Sequence, residues 1–283
     1  MNRQVKLTLK KIPDIPVEAE TLNPENVAGK DEKEIKGIPV LAGKYWEPAG
    51  SWFDVEIAET PEDMGKNIKL YADLLIKGDL TRFKRIGEGM SSGRMQVDGP
   101  VGFHAGAKMS GGELVINGDT GDYLGAHMKS GLIVVKGNAG HFTASAYRGY
   151  AKGMTGGTII VNGSAGQMIG ARMRRGLIYV TGDCGDMPGY NMKAGTVIIG
   201  GTPGARVGAR MVRGTIMLLK KDDLPEMLPT FTYNCTYTPS FWGITRGFLC
   251  KIGFSLETEP DALFRRFSGD TNEGGKGEVL VCT

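Results

Sequence analysis

Hydrophobic and polar positions alternate in seven short stretches of this chain, and each stretch follows a methionine at a fixed distance. The methionines lie at intervals of 19, 19, 26, 19, 19 and 19 residues, and each has glycine three positions later. The residues five and seven places after each methionine are all aliphatic or Met. Because strand side chains point alternately to two faces, the pattern predicts one strand per repeat. The seven methionines are Met90, Met109, Met128, Met154, Met173, Met192 and Met211.

A fixed period of this length is typical of a solenoid, in which each repeat buries its apolar face against the next. Glycines before and after each alternating stretch allow the positive φ angles that tight corners need. We therefore expect an all-β protein, a right-handed parallel β-helix of about seven 19-residue coils with N- and C-terminal capping segments. The methionines are expected to form a structural ladder inside it, because a soft-metal site would need several sulfurs at one point.

Glycine content and charge divide the chain into three parts. Of the 44 glycines, 32 fall within residues 78–220, which also carry 17 Lys and Arg against 8 Asp and Glu. The residues before and after this segment are mildly acidic. We predict an N-terminal cap segment at 1–77, the Gly/Met repeat at 78–220, and an aromatic-rich C-terminal docking or capping tail at 221–283.

The sequence offers no constellation for chemistry of its own. The three histidines occupy different positions within their repeats, and the four cysteines lack the spacing of metal ligands. We therefore predict no catalytic, cofactor-binding or metal-binding residue in this chain. No apolar run approaches the roughly 18 residues of a membrane span, and the N-terminus lacks a signal-peptide core, so we expect a cytoplasmic protein. The basic charges come without a nucleic-acid recognition module, which disfavours nucleic acid.

Two features predict contact with a partner. The residues six places after each methionine should point outward, yet six of the seven are apolar, so the flanks of the chain or another subunit must cover them. A seven-residue insertion before Met154 brings two tyrosines and an arginine, which are typical interface anchors. The candidate partner interface is Val115, Val134, Ile160, Tyr179, Ile198, Tyr147, Arg148 and Tyr150.

A basic rim beside the methionines has two interpretations. It includes Lys129, Arg172, Arg174, Arg175 and Lys193. The rim is either a solvated edge or a docking surface for an acidic partner.

The repeat Gly125-Ala-His-Met128-Lys-Ser-Gly131-Leu-Ile-Val-Val-Lys-Gly137 resembles the G-x-x-M-x-x-G-x-[IL]-x-[IV]-x-G repeat of the C subunit of formylmethanofuran dehydrogenase. The Tyr147-Arg148-Gly149 insertion and the terminal segments Phe267-Ser-Gly-Asp and Gly-Gly-Lys-Gly are similar to that family too. Two departures stand out. Ala144 occupies the place of a repeat glycine, and the segment between Cys235 and Cys250 is longer than the family pattern.

The resemblance implies a non-catalytic structural subunit of a tungsten- or molybdenum-type formylmethanofuran dehydrogenase. That oxidoreductase complex reduces CO2 with ferredoxin electrons and forms formylmethanofuran, the first step of methanogenesis from CO2. The resemblance further implies that this chain holds no cofactor. The tungsten- or molybdenum-pterin and iron–sulfur clusters belong to partner subunits, namely the molybdopterin subunits, and a further partner is the amidohydrolase subunit.

Three other classes remain open. The same repeat is similar to the C-terminal β-helix domain of glutamate synthase and to the C subunit of the bacterial formyltransferase/hydrolase complex of one-carbon metabolism, which has no redox step. A free-standing carbohydrate-binding β-helix is the third class. Tungsten or molybdenum in the purified complex would favour the dehydrogenase, flavin with glutaminase would favour glutamate synthase, and the absence of a redox cofactor would favour the hydrolase complex.

Overall fold

The computed structural model describes residues 2–60, 73–221, 224–254 and 256–283. Strands dominate these residues, and none of their helices has the length and apolar character that a membrane crossing requires. Short 3-10 turns lie at Ala49–Ser51 and Thr271–Glu273. The other elements, in chain order, are β1 (Asn2–Leu9), β2 (Val17–Glu18), α1 (Pro24–Val27), α2 (Glu32–Lys36), β3 (Pro39–Ala42), β4 (Tyr45–Pro48), β5 (Phe53–Thr60), β6 (Leu74–Lys77), β7 (Phe83–Lys84), β8 (Arg94–Asp98), β9 (Glu113–Ile116), β10 (Leu132–Val135), β11 (Thr158–Val161), β12 (Leu177–Val180), β13 (Thr196–Ile199), β14 (Arg213–Leu218), β15 (Thr232–Tyr237), α3 (Ser240–Lys251), β16 (Phe264–Gly269) and β17 (Lys276–Cys282).

Thirteen of the described strands form one mixed sheet with the order β15-β16-β17-β14-β13-β12-β11-β10-β9-β8-β6-β1-β5. A smaller sheet has the order β4-β3-β2-β7. From β6 to β14 the large sheet is parallel, with one strand per repeat and equivalent residues opposite each other. Ile133, for example, lies opposite Leu114 on one side and Ile159 on the other. The sequence period is therefore the period of the sheet.

A second set of contacts joins the repeats at another corner. Single parallel bridges link successive repeats from Leu80 to Pro203. Carboxylates of the Gly-Asp pairs reinforce them, because Asp119 Oδ1 accepts the N–H of Asn138 at 2.7 Å and Asp183 Oδ1 accepts the N–H of Thr202 at 2.7 Å. Each aspartate thus satisfies a backbone donor of the following repeat.

The all-β class agrees with the sequence prediction, but the predicted right-handed parallel β-helix of capped coils is wrong. The strands form a mixed sheet of thirteen and a sheet of four. The flanks extend the large sheet: β1 pairs in parallel with β6 and antiparallel with β5, and β17 pairs in parallel with β14 and antiparallel with β16. The physical reason is that an edge strand leaves N–H and C=O groups unpaired, which further strands satisfy. The division at residues 77 and 220 stays a prediction.

The repeated methionines and glycines are explained by one packing contact. All seven methionine side chains are completely buried. A Cβ atom added to Gly157 would lie 2.8 Å from Cε of Met128, and one added to Gly195 would lie 2.7 Å from Cε of Met173. Gly112, Gly176 and Gly214 have the same relation to the methionine of the preceding repeat. The methyl group of one repeat therefore fills the space that a side chain of the next repeat would need.

The outward face of the parallel strands is covered by the C-terminal segment of the same chain. Val115, Val134, Ile160, Tyr179 and Ile198 belong to a second hydrophobic core whose other members come largely from α3 and the residues after it. These other members are Met217, Leu219, Trp242, Leu249, Phe254, Leu256, Phe264, Leu280 and Cys282. Of the two kinds of cover that the sequence left open, the structure shows the internal one.

Two side-chain hydrogen bonds hold this C-terminal cover in shape. The indole Nε1 of Trp242 donates to the carbonyl of Glu259 at 2.8 Å, and Nε of Arg246 donates to the carbonyl of Thr258 at 2.8 Å. The ring of Trp242 meets Phe264 edge-on, with centroids 5.8 Å apart. An aromatic core with its polar atoms satisfied is the kind that stabilises a fold.

We predict that Ile198→Lys destabilises the folded chain by about 3 kcal/mol or more, because it removes a buried aliphatic group and places an ammonium in an apolar core. Ile198 is 0% exposed, whereas Ile244 on α3 is 78% exposed, so Ile244→Lys is the matched control and should change stability by less than about 0.5 kcal/mol. Urea unfolding followed by circular dichroism measures both. Equal midpoints for the two variants would contradict the internal cover.

Candidate interaction site

The insertion before Met154 lies beside a stack of rings at one corner of the repeats. His104, Tyr123 and Phe142 occupy equivalent corner positions with φ of 66°, 63° and 62°. The centroids of His104 and Tyr123 are 5.4 Å apart, and those of Tyr123 and Phe142 are 4.9 Å apart with an interplanar angle of 13°. A left-handed backbone costs an ordinary L-residue about 1–2 kcal/mol, so side chains held there are candidates for function.

Tyr147 of the insertion packs against this ring stack and bonds to two histidines. Its Oη lies 3.1 Å from Nδ1 of His104, and its backbone N–H donates to Nε2 of His127 at 3.0 Å. Its ring centroid is 5.2 Å from that of Tyr123 and 4.8 Å from that of His127. Tyr147 thus attaches the insertion to the repeats through its hydroxyl, its ring and its backbone N–H.

Burial keeps the groups of this cluster uncharged. Desolvation, assisted by Glu88 and opposed by Arg85, raises the pKa of Tyr147 to about 12. Desolvation also lowers the pKa of His104, and the positive charge of Arg85 adds to the effect. A protonated tyrosine hydroxyl can donate to Nδ1 of a neutral imidazole, which matches the observed contact. The pair holds the insertion in place; a tyrosine with a raised pKa is not an activated nucleophile.

His127 must be neutral to accept the N–H of Tyr147. Desolvation is the largest cause that lowers its pKa, followed by the positive charge of Lys108, while a backbone hydrogen bond with Lys152 acts in the opposite direction. His141 makes a similar contact one corner away, since its Nδ1 accepts the N–H of Gln167 at 3.0 Å. His127 and His141 therefore each accept a backbone N–H group.

An ion-pair network lies next to the cluster. The buried carboxylate of Glu88 accepts from Nη1 of Arg85 at 3.0 Å and from Nζ of Lys108 at 2.7 Å. Nε of Arg85 also lies 3.1 Å from a carboxylate oxygen of Glu18. These contacts connect the N-terminal segment to the repeats that carry the ring stack.

The predicted partner residues separate into two groups. Val115, Val134, Ile160, Tyr179 and Ile198 lie in the second hydrophobic core and present no open surface in this chain. Tyr147 is half-buried, whereas Arg148 and Tyr150 are exposed, with Tyr150 at 61%. The guanidinium Nη1 of Arg172 donates to the carbonyl of Tyr150 at 2.6 Å, which ties the insertion to the basic rim. A partner role for the insertion stays a prediction.

The histidine cluster is not visible when positions are compared by their distance from each methionine. The seven extra residues of the insertion move Phe142 out of that alignment. Alignment from the glycine that opens each repeat would have placed His104, Tyr123 and Phe142 in one column.

Across the described ranges, no three His, Cys, Asp or Glu side chains are grouped so that they could hold a metal ion. The thiol of Cys184 is buried, and desolvation raises its pKa to about 12, so it does not supply a ready thiolate ligand. The absence of bound metal and cofactor in this chain stays a prediction.

The repeat and its glycine corners define a family. The chain belongs to the GXGXG motif family, whose model matches residues 82–230.

Its similarity extends to a particular kind of subunit. The chain is 42% identical over 94 residues to the C subunit of molybdenum-containing formylmethanofuran dehydrogenase 1 from Methanothermobacter thermautotrophicus, which is 32% of this chain and 21% of the relative. It is 37% identical over 104 residues to the C subunit of tungsten-containing formylmethanofuran dehydrogenase 2 from Methanothermobacter marburgensis, which is 37% of this chain and 36% of the relative. The alignments thus span about a fifth and a third of these relatives' lengths. The family resemblance predicted from the repeat is confirmed.

A solved structure matches nearly the whole chain. It is the crystal structure of the formyltransferase/hydrolase complex FhcABCD from Methylorubrum extorquens in complex with methylofuran. One of its chains has a TM-score of 0.82 and 27% identity, and the match covers 98% of this chain and 99% of that chain. The similar chain is therefore part of an assembly of several subunits.

We predict that acidification loosens the insertion. Because the folded pKa of His127 lies below its ordinary value of 6.5, its contribution to stability is complete above that value and is lost as the pH falls towards the folded pKa. Protonated Nε2 would face the N–H of Tyr147 donor to donor. Hydrogen exchange of the peptide containing Tyr147, followed by mass spectrometry from about pH 7.5 to about pH 5 after correction for intrinsic rates, measures the effect.

His127→Gln keeps an acceptor but does not titrate, so its insertion should respond less to pH. His104 retains its own lowered pKa and should leave part of the response. His141→Gln, which changes a histidine outside the Tyr147 contacts, is the control. An unaltered pH response in His127→Gln would contradict the role assigned to His127.

Proposed function

We propose that this chain is the C subunit of a formylmethanofuran dehydrogenase and serves as its non-catalytic structural subunit. The observation that carries the proposal is the 36–42% identity, over 94 to 106 residues, to the C subunits of both the molybdenum and the tungsten enzymes. The complex would reduce CO2 with ferredoxin electrons and form formylmethanofuran, the opening step of methanogenesis from CO2. This chain would serve as a structural support, because its stacked repeats would form a surface on which the other subunits bind.

The proposal assigns the cofactors to other subunits. Tungsten- or molybdenum-pterin and iron–sulfur clusters would be held by the molybdopterin subunits, and a further partner would be an amidohydrolase subunit. The chemistry of the donor set supports this assignment, because the described side chains provide no cluster of metal ligands. The shifted pKa values of Tyr147, His104 and His127 belong to contacts that hold the insertion.

A second function is favoured by the structural comparison. The match that covers 98% of this chain is to a protein of the formyltransferase/hydrolase complex. The C subunit of such a complex would have the same structural role, with formyl transfer and hydrolysis in its partners and no redox step. The two functions differ in the metals of the assembly and not in the expected behaviour of this chain.

We predict that the native chain purifies from its source within a complex of several subunits. The dehydrogenase function requires molybdenum or tungsten together with iron in that complex, which metal analysis by mass spectrometry detects. If the partner subunits contain none of these redox metals, the result would favour the formyltransferase/hydrolase complex over the dehydrogenase. A chain that purifies alone under gentle conditions would contradict both.

The insertion is expected to contribute to assembly. Tyr150→Ala removes an exposed aromatic side chain that has the character of an interface anchor, and we expect it to weaken retention of the partners about tenfold. Tyr45→Ala is a matched control, because Tyr45 is 62% exposed against 61% for Tyr150 and lies on β4 of the smaller sheet. Size-exclusion chromatography of the affinity-purified complexes compares the two. Equal retention of the partners by the two variants would contradict a role of Tyr150 in the interface.

A further inference from the structure

Acidic residues are missing from a long part of the repeats. Residues 123–182 contain no Asp or Glu but carry seven Lys and Arg, and residues 187–221 contain no Asp or Glu but carry six. Carboxylates within the repeats, such as Asp119 and Asp183, lie at the corner where they accept backbone N–H groups of the following repeat. The separation of charge in the sequence therefore has a counterpart in the fold.

Several of the basic residues occupy neighbouring rungs of one ladder. The N–H of Lys129 donates to the carbonyl of Met109, that of Arg174 to Met154 and that of Lys193 to Met173, at 2.8, 2.8 and 2.7 Å. Lys129, Arg174 and Lys193 are thus equivalent residues of different repeats, and the last two are on adjacent repeats. Because parallel strands are about 4.8 Å apart, their charges repel each other across one rung.

In the described part of the chain, the charges at the middle of this ladder lack the ion pairs that form near its two ends. Near its two ends, Lys108 pairs with Glu88 at 2.7 Å and Arg210 pairs with Glu273 at 3.2 Å. Throughout the described residues, no carboxylate forms an ion pair with Lys129, Arg174 or Lys193. Repulsion between them opposes folding, and no carboxylate in the described ranges relieves it.

The insertion continues the same surface. Arg172, which precedes buried Met173, donates from Nη1 to the carbonyl of Tyr150. Arg148 and Lys152 on the insertion are exposed and likewise have no ion pair in the described part of the chain. Exposed Tyr150 thus lies among arginines and lysines, which is the composition of an interface core with a charged rim.

We propose that this basic face, defined by Lys129, Arg148, Lys152, Arg174, Arg175 and Lys193, docks onto an acidic surface of a neighbouring protein subunit. The inference rests on the proposed function, since the structurally similar chain is part of a complex of several subunits. Carboxylates of the partner would offset the repulsion between adjacent rungs and fix the register of docking along the repeats. In the column of residues that directly follow the methionines, Thr155 interrupts the cations between Lys129 and Arg174. The cations are therefore unevenly spaced, which favours one alignment of the partner along the repeats.

The first experiment maps the contact in the intact complex. A carbodiimide activates a carboxylate, and a lysine amine then displaces the activating group as a urea to form an amide without a spacer. Treatment of the purified assembly should therefore link Lys129, Lys152 and Lys193 to Asp or Glu residues of one partner subunit. Lys33 on α2 and Lys251 on α3 are exposed lysines outside the basic face and serve as internal controls. Links from the controls but none from the basic face would overturn the docking surface.

The second experiment tests its contribution to assembly. Arg174→Glu with Lys193→Glu should reduce retention of the partner about tenfold or more at physiological salt, whereas Lys33→Glu with Lys251→Glu should leave it unchanged. The wild-type complex should also dissociate more readily as the salt concentration rises. Thermal unfolding of the isolated variants shows whether the repeats remain folded.

The outcomes separate this inference from the proposed function. If both double variants retain the subunits of the wild-type complex, the docking surface is wrong and the proposed function stands. If the wild-type chain has no partner subunits, both are wrong. If nuclease treatment releases what is bound to the basic face, that face binds a nucleic acid, and the proposal of a protein partner is wrong.

Discussion

The contact between a methionine methyl group and the glycine of the next repeat is the constraint on which the rest of this structure depends. A Cβ at Gly176 would lie 2.7 Å from Cε of Met154, so neither residue can change alone without a clash or a void. The contact fixes the register of each strand against its neighbour. It also explains why both residue types recur with the same period.

Once the register is fixed, the two faces of the parallel strands have different requirements. The inner face is buried by the repeats themselves, but the outer face is apolar as well and needs a cover. Trp242, Leu249 and Phe264 supply it from the C-terminal segment. The chain therefore completes its own core, and the outer face of the parallel strands is not left open.

Much of this architecture could be predicted from the sequence, for reasons that particular residues show. Alternation around Ile133 predicted the strand, and the Met128–Gly131 spacing predicted the period, because both follow from local geometry. The arrangement of the flanks could not be predicted, since the pairing of β1 with β6 and of β17 with β14 joins residues far apart in sequence. The residues that cover Ile198 could not be predicted for the same reason. The apolar column is visible in the sequence, but the C-terminal residues that pack against it are distant along the chain.

The site was less accessible to sequence reasoning than the fold, because its parts come from three repeats and an insertion that breaks the period. Tyr147 meets His104 and His127 only after the corners have been stacked. Equivalent corners farther along carry Met168, Met187 and Arg206 in the same left-handed conformation, with φ near 60°. The backbone at these corners is thus uniform while the side chains differ. Because the interior repeats itself and the corners do not, the information that distinguishes one end of the stack from the other lies at the corners. The ring stack, the insertion and the unevenly spaced cations beside them therefore mark one position along repeats that are otherwise alike.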